Sequence, residues 1–192
     1  MLETLRTLAT LAFIGGFAWW LSCHKRELRR IDPRCWVDDA KRMDEHDWGK
    51  FVGLACVFAL LLFVLVPHAA WFTESTTGVR LVDPEQHPIT QVARVSWYLL
   101  VGLMVLAVVF EEWLFRGILL ERLRRFGRFP AVMLSAFAFG LFHLLNTGTF
   151  FYAFIPPTVA GLVLGCAYLA GGLKVSALAH MGYNGVLFLV LA

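Results

Sequence analysis

Long apolar stretches alternate with short polar segments along this chain. The apolar stretches cover residues 8–22, 51–72, 95–120, 130–145, 150–170 and 175–192. A helix needs about 20 mostly apolar residues to cross a bilayer. The pattern therefore predicts an all-α fold, a polytopic membrane helix bundle of about six transmembrane helices. Pro156 and Pro157 are expected to kink the fifth helix or to mark its start.

The composition agrees with a membrane protein. The chain has 192 residues, of which 59% are hydrophobic and 16% are charged. A soluble domain carries about 25% charged residues. An ordinary soluble domain is therefore excluded, and the length suits one compact unit. The four cysteines, Cys23, Cys35, Cys56 and Cys166, have no paired spacing, so we expect free thiols.

The basic residues predict how the chain is oriented in the membrane. They concentrate in residues 23–50, in residues 122–128 and at Lys174, whereas the segments between them carry Arg80 and little else. Because Lys and Arg are enriched in cytoplasmic loops, these three segments should be cytoplasmic and both termini outside. We expect an integral membrane protein of the bacterial inner (plasma) membrane, with an amphipathic surface segment or a plain linker in residues 23–50.

The first apolar stretch has two possible interpretations, a cleaved signal peptide and a retained helix. A signal peptide has its basic residues before the apolar run and a small-residue cleavage site after it. Here the basic cluster follows the apolar run and no such site is present. The pattern favours a retained helix.

Besides His68, which lies near the end of its stretch, five ionisable residues lie inside the apolar stretches. They are Glu111, Glu112, Arg116, His143 and His180. A charged side chain at the centre of a bilayer costs about 2.5–3.5 kcal/mol even on the mildest scale, so such residues usually face a bundle interior and serve a function. This cluster is the first candidate for a functional site.

Helical geometry divides the two adjacent glutamates. Glu112 and Arg116 are four residues apart, which places them on one helix face where they can form an ion pair. Glu111 lies about 100° further round the helix and is free to face another helix. We interpret Glu112 and Arg116 as a structural pair and Glu111 as the reactive carboxylate, which suits a general base.

Two later helices are expected to bring partners to Glu111. Glu111 and His143 each lie 16 residues from Gly127, so antiparallel helices would place them at similar height. His180 lies on the sixth helix, and Asn184 follows one turn later on the same face. A carboxylate, two imidazoles and a carboxamide can converge there.

Structural roles are the alternative for several of these residues. Glu112 and Arg116 can be purely structural, and Asn184 can hydrogen-bond between helices. A lone histidine in a helix is more often a core residue than a catalyst, which suits His68. Gly161 and Gly165 form a GxxxG pattern that is typical of close helix packing.

Three short motifs in order resemble a known family. "EEWLFRG" (111–117) fits E-E-x-x-x-R, "FGLFH" (139–143) fits F-x-x-x-H, and "HMGYN" (180–184) fits H-x-x-x-N. In this order they resemble the CPBP intramembrane proteases, which include the CAAX prenyl protease 2 type and the lysostaphin resistance (Abi) type. The resemblance covers residues 95–192, so we expect a catalytic core there. Residues 1–94 would form N-terminal transmembrane helices with a basic cytoplasmic loop.

The resemblance implies a role for each matching residue. Glu111 corresponds to the catalytic glutamate, and His143 to the histidine that helps it hold and activate water. His180 and Asn184 correspond to the residues that stabilise the oxyanion, with Glu112 and Arg116 in support. The implied reaction is hydrolysis of a peptide bond in a membrane protein or peptide within the lipid bilayer, and no nucleic acid is expected as a partner.

A metal cofactor is the main open question about the mechanism. Glu111, His143 and His180 could ligate zinc and leave Glu112 as the base. Arg116 beside the glutamates disfavours a divalent cation, and no H-E-x-x-H motif is present. We expect a mechanism without a cofactor, with zinc as the alternative.

Other functional classes remain as alternatives or are excluded. A non-catalytic membrane immunity or scaffold protein of the same fold is one alternative. A transporter or proton relay is another, although no inverted repeat supports it. An aspartyl intramembrane protease is excluded because no aspartate lies in an apolar stretch, and a rhomboid-like protease because no serine has a G-x-S context.

Overall fold

The computed structural model describes residues 2–24, 27, 32–83, 85 and 96–191. Within these ranges the chain is almost entirely helical and has no strand beyond an isolated antiparallel bridge between Val82 and Thr149. The predicted all-α class is therefore confirmed. In chain order the elements are α1 (Leu2–Cys23), α2 (Pro33–Arg42), α3 (Glu45–Thr77), α4 (Trp97–Glu112), a π-helix (Trp113–Leu120), α5 (Glu121–Leu123), α6 (Arg128–Phe142) and α7 (Ile155–Leu191), with 3₁₀ turns at Arg124–Phe126, His143–Leu145 and Phe151–Phe154.

Some predictions concern positions outside the described residues. These are the predicted start of the third helix at residue 95 and the predicted end of the sixth helix at residue 192. They also include the domain boundary between residues 94 and 95, and four residues of the basic loop, Lys25, Arg26, Arg29 and Arg30. The division into two domains stays a prediction. Glu27 of this loop is described, and its carbonyl accepts a hydrogen bond from Trp113 Nε1 at 2.8 Å.

Four helical stretches in the described part of the chain are long and apolar enough to cross a membrane. They are Glu45–Thr77, Tyr98–Phe126, Arg128–Leu145 and Phe151–Leu187. The predicted number of six is not confirmed. The first predicted span does form a helix, α1, but it is not among these four stretches. The fifth and sixth predicted spans are both parts of α7.

α7 folds back on itself at Gly172. This residue has φ 78° and ψ −173°, which interrupts the helix. Ser176 Oγ lies 3.0 Å from the Leu164 carbonyl oxygen, although the two residues are 12 apart in the chain. In a straight helix they would be separated by about 18 Å. α7 is therefore a hairpin of two arms, one before and one after Gly172.

The two arms of α7 form the core together with α3 and α6. One cluster of buried residues joins Leu62 of α3, Phe115 of the π-helix and Phe139 of α6 to both arms of α7. A second cluster joins Ala55 of α3 to Ala167 and Val175. α1 contributes no buried residue to the described core. The site residues of α4, α6 and α7 thus lie around one packed centre.

Polar contacts fix the ends of these helices. Asp44 caps α3 by accepting a hydrogen bond from the Asp47 backbone N–H at 2.8 Å. Lys174, just after the α7 bend, forms an ion pair with Asp39 of α2. The hydrogen bond and charge of Lys174 hold the pKa of Asp39 below its usual value. The predicted basic loop therefore contains an amphipathic helix, α2, that is tied to the α7 hairpin.

Candidate active site

Glu112 and Arg116 form a buried ion pair where α4 passes into the π-helix. Arg116 Nη1 donates to Glu112 Oε1 at 2.8 Å, and the two side chains are 0% and 1% exposed. The predicted pairing of these residues is therefore present in the structure. A buried ion pair needs further hydrogen bonds to offset its desolvation, and other elements supply them here.

The glycine motif of α7 provides one of these contacts. Arg116 Nη2 donates to the Gly161 carbonyl at 3.3 Å. A Cβ atom at Gly161 would lie 2.7 Å from Ala136 Cα, so the missing side chain allows α6 and α7 to approach closely. The predicted close packing at the GxxxG pattern is confirmed, and it also leaves a backbone acceptor beside Arg116.

The guanidinium of Arg116 also contacts an aromatic ring. Its central carbon lies 4.4 Å from the centroid of the Phe139 ring, within range of a cation–π interaction. Arg116 Nε has no hydrogen-bond partner among the described residues. Arg116 thus links α4, α6 and α7 through one salt bridge, one hydrogen bond and one ring contact.

The π-helix was not predicted from the sequence. Short π-helical segments inside α-helices are frequent at functional sites, because they shift the positions of the side chains that follow. Within this segment the Phe115 carbonyl accepts a hydrogen bond from Ser135 Oγ of α6 at 2.7 Å. The segment places Arg116 and Phe115 against α6 and α7, next to the last residues of α4.

His180 lies between the two glutamates. Its Nδ1 is 2.9 Å from Glu112 Oε1, and its Nε2 is 3.9 Å from Glu111 Oε2. From the sequence we expected His180 to contact Glu111 and Glu112 to pair with Arg116 alone. In the structure His180 forms its short hydrogen bond with Glu112 instead. The second arm of α7 brings the imidazole to the same carboxylate oxygen that Arg116 contacts.

Ser176 is a further contact of Glu112 that sequence reasoning missed. Its Oγ hydrogen-bonds to Glu112 Oε2, and the residue is fully buried. It lies four residues before His180, hence on the same face of the second arm. From the sequence, this spacing could have indicated that Ser176 and His180 share a helix face. It could not show that the α7 hairpin brings this face to Glu112.

His143 lies at the end of α6, beside the same aromatic ring. Its Nδ1 is 2.9 Å from the Phe139 carbonyl oxygen. A carbonyl oxygen only accepts, so Nδ1 carries a hydrogen, and in the neutral imidazole Nε2 keeps its lone pair. The ring centroids of His143 and His180 lie 4.6 Å and 5.9 Å from that of Phe139.

Asn184 follows His180 by one turn on the second arm of α7. The residue is partly buried, and its side-chain amide forms no hydrogen bond with the residues that the structure describes. Glu111 is also partly open, with 16% of its side chain exposed. The structure thus brings Glu111, Glu112, Arg116 and His180 into one connected group. His143 adjoins this group across Phe139, and Asn184 lies one helical turn after His180.

The same residues were considered as zinc ligands. Across the described ranges, no three His, Cys, Asp or Glu side chains are gathered closely enough to hold a metal ion. Both nitrogens of His180 face carboxylates, and Arg116 adds a fixed positive charge beside them. The geometry of Glu111, His143 and His180 does not fit a zinc site.

An apolar groove lies between α1, the π-helix and α6. Its volume is about 480 Å³. Its wall includes Phe17 of α1, Leu114 and Phe115 of the π-helix and Phe142 of α6, and Arg122 is the charged residue in its lining. Phe115 also packs edge-on against Phe139 with ring centroids 5.2 Å apart. Phe142, which lines the groove, also contacts His143, with ring centroids 6.1 Å apart.

Comparison with known proteins gives one match. A family model described as type II CAAX prenyl endopeptidase Rce1-like matches residues 93–186. No curated protein and no solved structure matches the chain. The matched segment contains all three motifs and therefore every candidate residue from Glu111 to Asn184.

Proposed function

Through residues 93–186 this chain belongs to the type II CAAX prenyl endopeptidase Rce1-like family, and we propose that Glu111 is its general base. The membrane-spanning helices and the family together make it an integral membrane endopeptidase of the CAAX type, with a membrane-associated substrate. The observation that carries the proposal is the sharing of His180 between the two glutamates; among the described residues, an arginine pairs with Glu112 and none with Glu111.

Glu111 is the carboxylate that is available to water. Glu112 is buried and accepts hydrogen bonds from three side chains, whereas Glu111 is partly open and keeps His180 Nε2 at 3.9 Å. Glu111 would remove a proton from water as the water oxygen attacks the peptide carbonyl carbon. The same proton then goes to the leaving amine nitrogen as the C–N bond breaks.

His143 would orient the attacking water. Because its Nδ1 donates to the Phe139 carbonyl, its Nε2 is an acceptor when the imidazole is neutral. An acceptor at this position can take the second hydrogen of a water that is held by Glu111. His143 is thus proposed as a positioning group for water, and Glu111 as the proton acceptor.

His180 would stabilise the oxyanion as an imidazolium. Its Nδ1 hydrogen faces the Glu112 carboxylate, so donation to the substrate from Nε2 requires a second proton. With that proton the buried group contains two carboxylates, one guanidinium and one imidazolium, and its charges cancel. A balanced group avoids leaving an uncompensated charge inside the bundle. The Asn184 amide is proposed as a second donor to the oxyanion, as in oxyanion holes.

The proposed role of Glu111 is tested by Glu111→Gln. We expect this variant to accumulate to the wild-type level but to lose cleavage of membrane substrates. Comparison of new protein N-termini in membranes that contain the wild type or the variant would identify those substrates. Identical sets of N-termini would contradict the proposal and favour a non-catalytic scaffold protein.

A cofactor-free mechanism is tested separately. We propose that the reaction needs no metal, in line with the donor geometry described above. Cleavage of an identified substrate should continue after dialysis of the purified protein against a strong zinc chelator. Loss of activity that returns on addition of zinc would contradict this part of the proposal.

A further inference from the structure

Ser176 is a fully buried polar residue to which the catalytic scheme above gives no role. It lies on the second arm of α7, one turn before His180. Its Oγ contacts Glu112 Oε2 and lies 3.0 Å from the Leu164 carbonyl oxygen. A hydroxyl has a single hydrogen to donate, so the choice between these two acceptors decides what the residue does.

The distribution of donors on Glu112 settles this choice. Glu112 Oε1 accepts from both Arg116 and His180, whereas Oε2 accepts from Ser176 alone among the described residues. The Leu164 carbonyl lies inside a helix, where the backbone N–H four residues later already satisfies it. Leaving a buried carboxylate oxygen without any hydrogen-bond donor costs far more free energy than leaving a helical carbonyl with a single hydrogen bond. The Ser176 hydrogen therefore goes to Glu112.

This hydrogen bond fixes the rotation of the Glu112 carboxyl group. Holding Oε2 toward Ser176 keeps Oε1 between Arg116 Nη1 at 2.8 Å and His180 Nδ1 at 2.9 Å. The orientation of the imidazole then follows, and with it the direction of Nε2 toward Glu111. The chain of contacts runs from Ser176 through Glu112 to His180.

We propose that Ser176 is a positioning residue that orients the catalytic imidazole of His180 through Glu112. The inference rests on the proposed function, because it concerns the same site. Ser176 does not contact Glu111, and it acts only through its neighbours. Its loss should therefore lower the rate of the chemical step and leave substrate binding unchanged. In metal sites, the partners that orient the ligands contribute about 10–100-fold to affinity or activity, and we expect an effect of similar size here.

Ser176→Ala tests the proposal, with Ser135→Ala as the matched control. Ser135 is likewise a buried serine in a transmembrane helix, and its Oγ donates to the Phe115 carbonyl at 2.7 Å without touching either glutamate. The probe is a quenched-fluorescence peptide spanning a cleavage site that is lost in Glu111→Gln, assayed in detergent micelles. We expect Ser176→Ala to lower kcat about 10–100-fold with KM within about 3-fold. Ser135→Ala should keep kcat.

A third variant separates positioning from a purely structural role. Ser176→Thr keeps the hydroxyl and should recover kcat to within a few-fold of the wild type, at some cost in thermal stability from the added methyl group. Equal kcat for Ser176→Ala and wild type, or equal losses in the alanine and threonine variants, would overturn the positioning role. If Ser176→Ala does not accumulate, Ser176→Cys, which retains only a weak donor, takes its place and should show the same fall in kcat.

The outcomes also distinguish this proposal from the one on which it rests. If Glu111→Gln cleaves the same substrates as the wild type, the proposed function is wrong. If Glu111→Gln is inactive and Ser176→Ala is fully active, only the positioning role of Ser176 is wrong.

Discussion

At the scale of single residues, Arg116 determines how the site is held together. It is fully buried, it neutralises Glu112, and it touches the Gly161 carbonyl and the Phe139 ring. Removing one member of a buried ion pair leaves the other charge without compensation, whereas removing both charges is often tolerated. Comparing the stability of single and double variants therefore tests the structural role of this ion pair separately from the chemistry of Glu111.

Arg116→Met should destabilise the protein strongly. Loss of one partner of a buried pair costs about 3–5 kcal/mol, because Glu112 would then be charged and poorly compensated inside the bundle. The double variant Glu112→Gln with Arg116→Met removes both charges and should regain most of the lost stability. Thermal unfolding of the purified proteins in detergent measures both effects. A single variant as stable as the wild type would show that the pair has no structural role.

Part of the site could be predicted at this scale, and part could not. The spacing of Glu112 and Arg116 within one helix is a local property, so the sequence was sufficient to pair them. The contacts of His180 and Ser176 with Glu112 span 68 and 64 residues of sequence. They depend on how α7 packs against α4, and helical spacing does not show which of two adjacent glutamates the imidazole meets.

At the scale of secondary structure, two glycines control how the helices meet. Gly161 allows α6 and α7 to approach, and Gly172 reverses the direction of α7. The close packing at Gly161 was predicted from its GxxxG pattern. The boundaries of the last two spans were also close to the two arms, because Gly and Lys separate two apolar runs there. The π-helix could not be predicted, since its sequence is as apolar as that of an ordinary helix.

Gly161→Ala should destabilise the bundle. The added Cβ would lie 2.7 Å from Ala136 Cα and 3.0 Å from its carbonyl oxygen, so backbone must move. Overpacking of this kind costs about 1–3 kcal/mol. Gly53→Ala in α3 is the control, because a Cβ there has no neighbour within 4 Å. Thermal unfolding in detergent should show a loss for Gly161→Ala and none for Gly53→Ala, and equal stabilities would contradict the close packing.

Gly172→Ala should weaken the α7 bend without any steric clash. A Cβ at Gly172 has no neighbour within 4 Å, but the backbone angles there, φ 78° and ψ −173°, are essentially restricted to glycine. The expected cost is about 1–3 kcal/mol. Activity should fall together with stability, because the second arm carries His180. Thermal unfolding and peptide cleavage by the same preparation measure both, and an unchanged protein would contradict the bend.

At the scale of the whole molecule, the distribution of basic residues predicts the orientation in the membrane. Arg122, Arg124, Arg125 and Arg128 lie at the junction of α5 and α6, at the opposite end of α6 from His143. If this junction is cytoplasmic, the end of α3 near Thr77 lies on the other side. The sides of the membrane on which these two ends lie can be tested together.

Cysteine labelling in intact cells tests this orientation. In a chain whose native cysteines are replaced by alanine, Thr76→Cys and Phe126→Cys both place a thiol at an exposed position. A membrane-impermeant maleimide should label Thr76→Cys directly and Phe126→Cys only after permeabilisation. The reverse pattern would show that the arginine-rich junction lies outside.

The pairing of Glu112 with Arg116 inside one helix also has a consequence for biosynthesis. The two charges can neutralise each other as soon as this helix enters the bilayer, which lowers the cost of inserting it alone. His180 follows Glu112 by 68 residues. At a synthesis rate of about 5–20 residues per second, the ribosome needs roughly 3–14 s to reach it. During this interval the nascent chain carries its glutamates in the membrane without the imidazole of α7, so it can insert as an inactive precursor and gain proteolytic activity only when the hairpin docks.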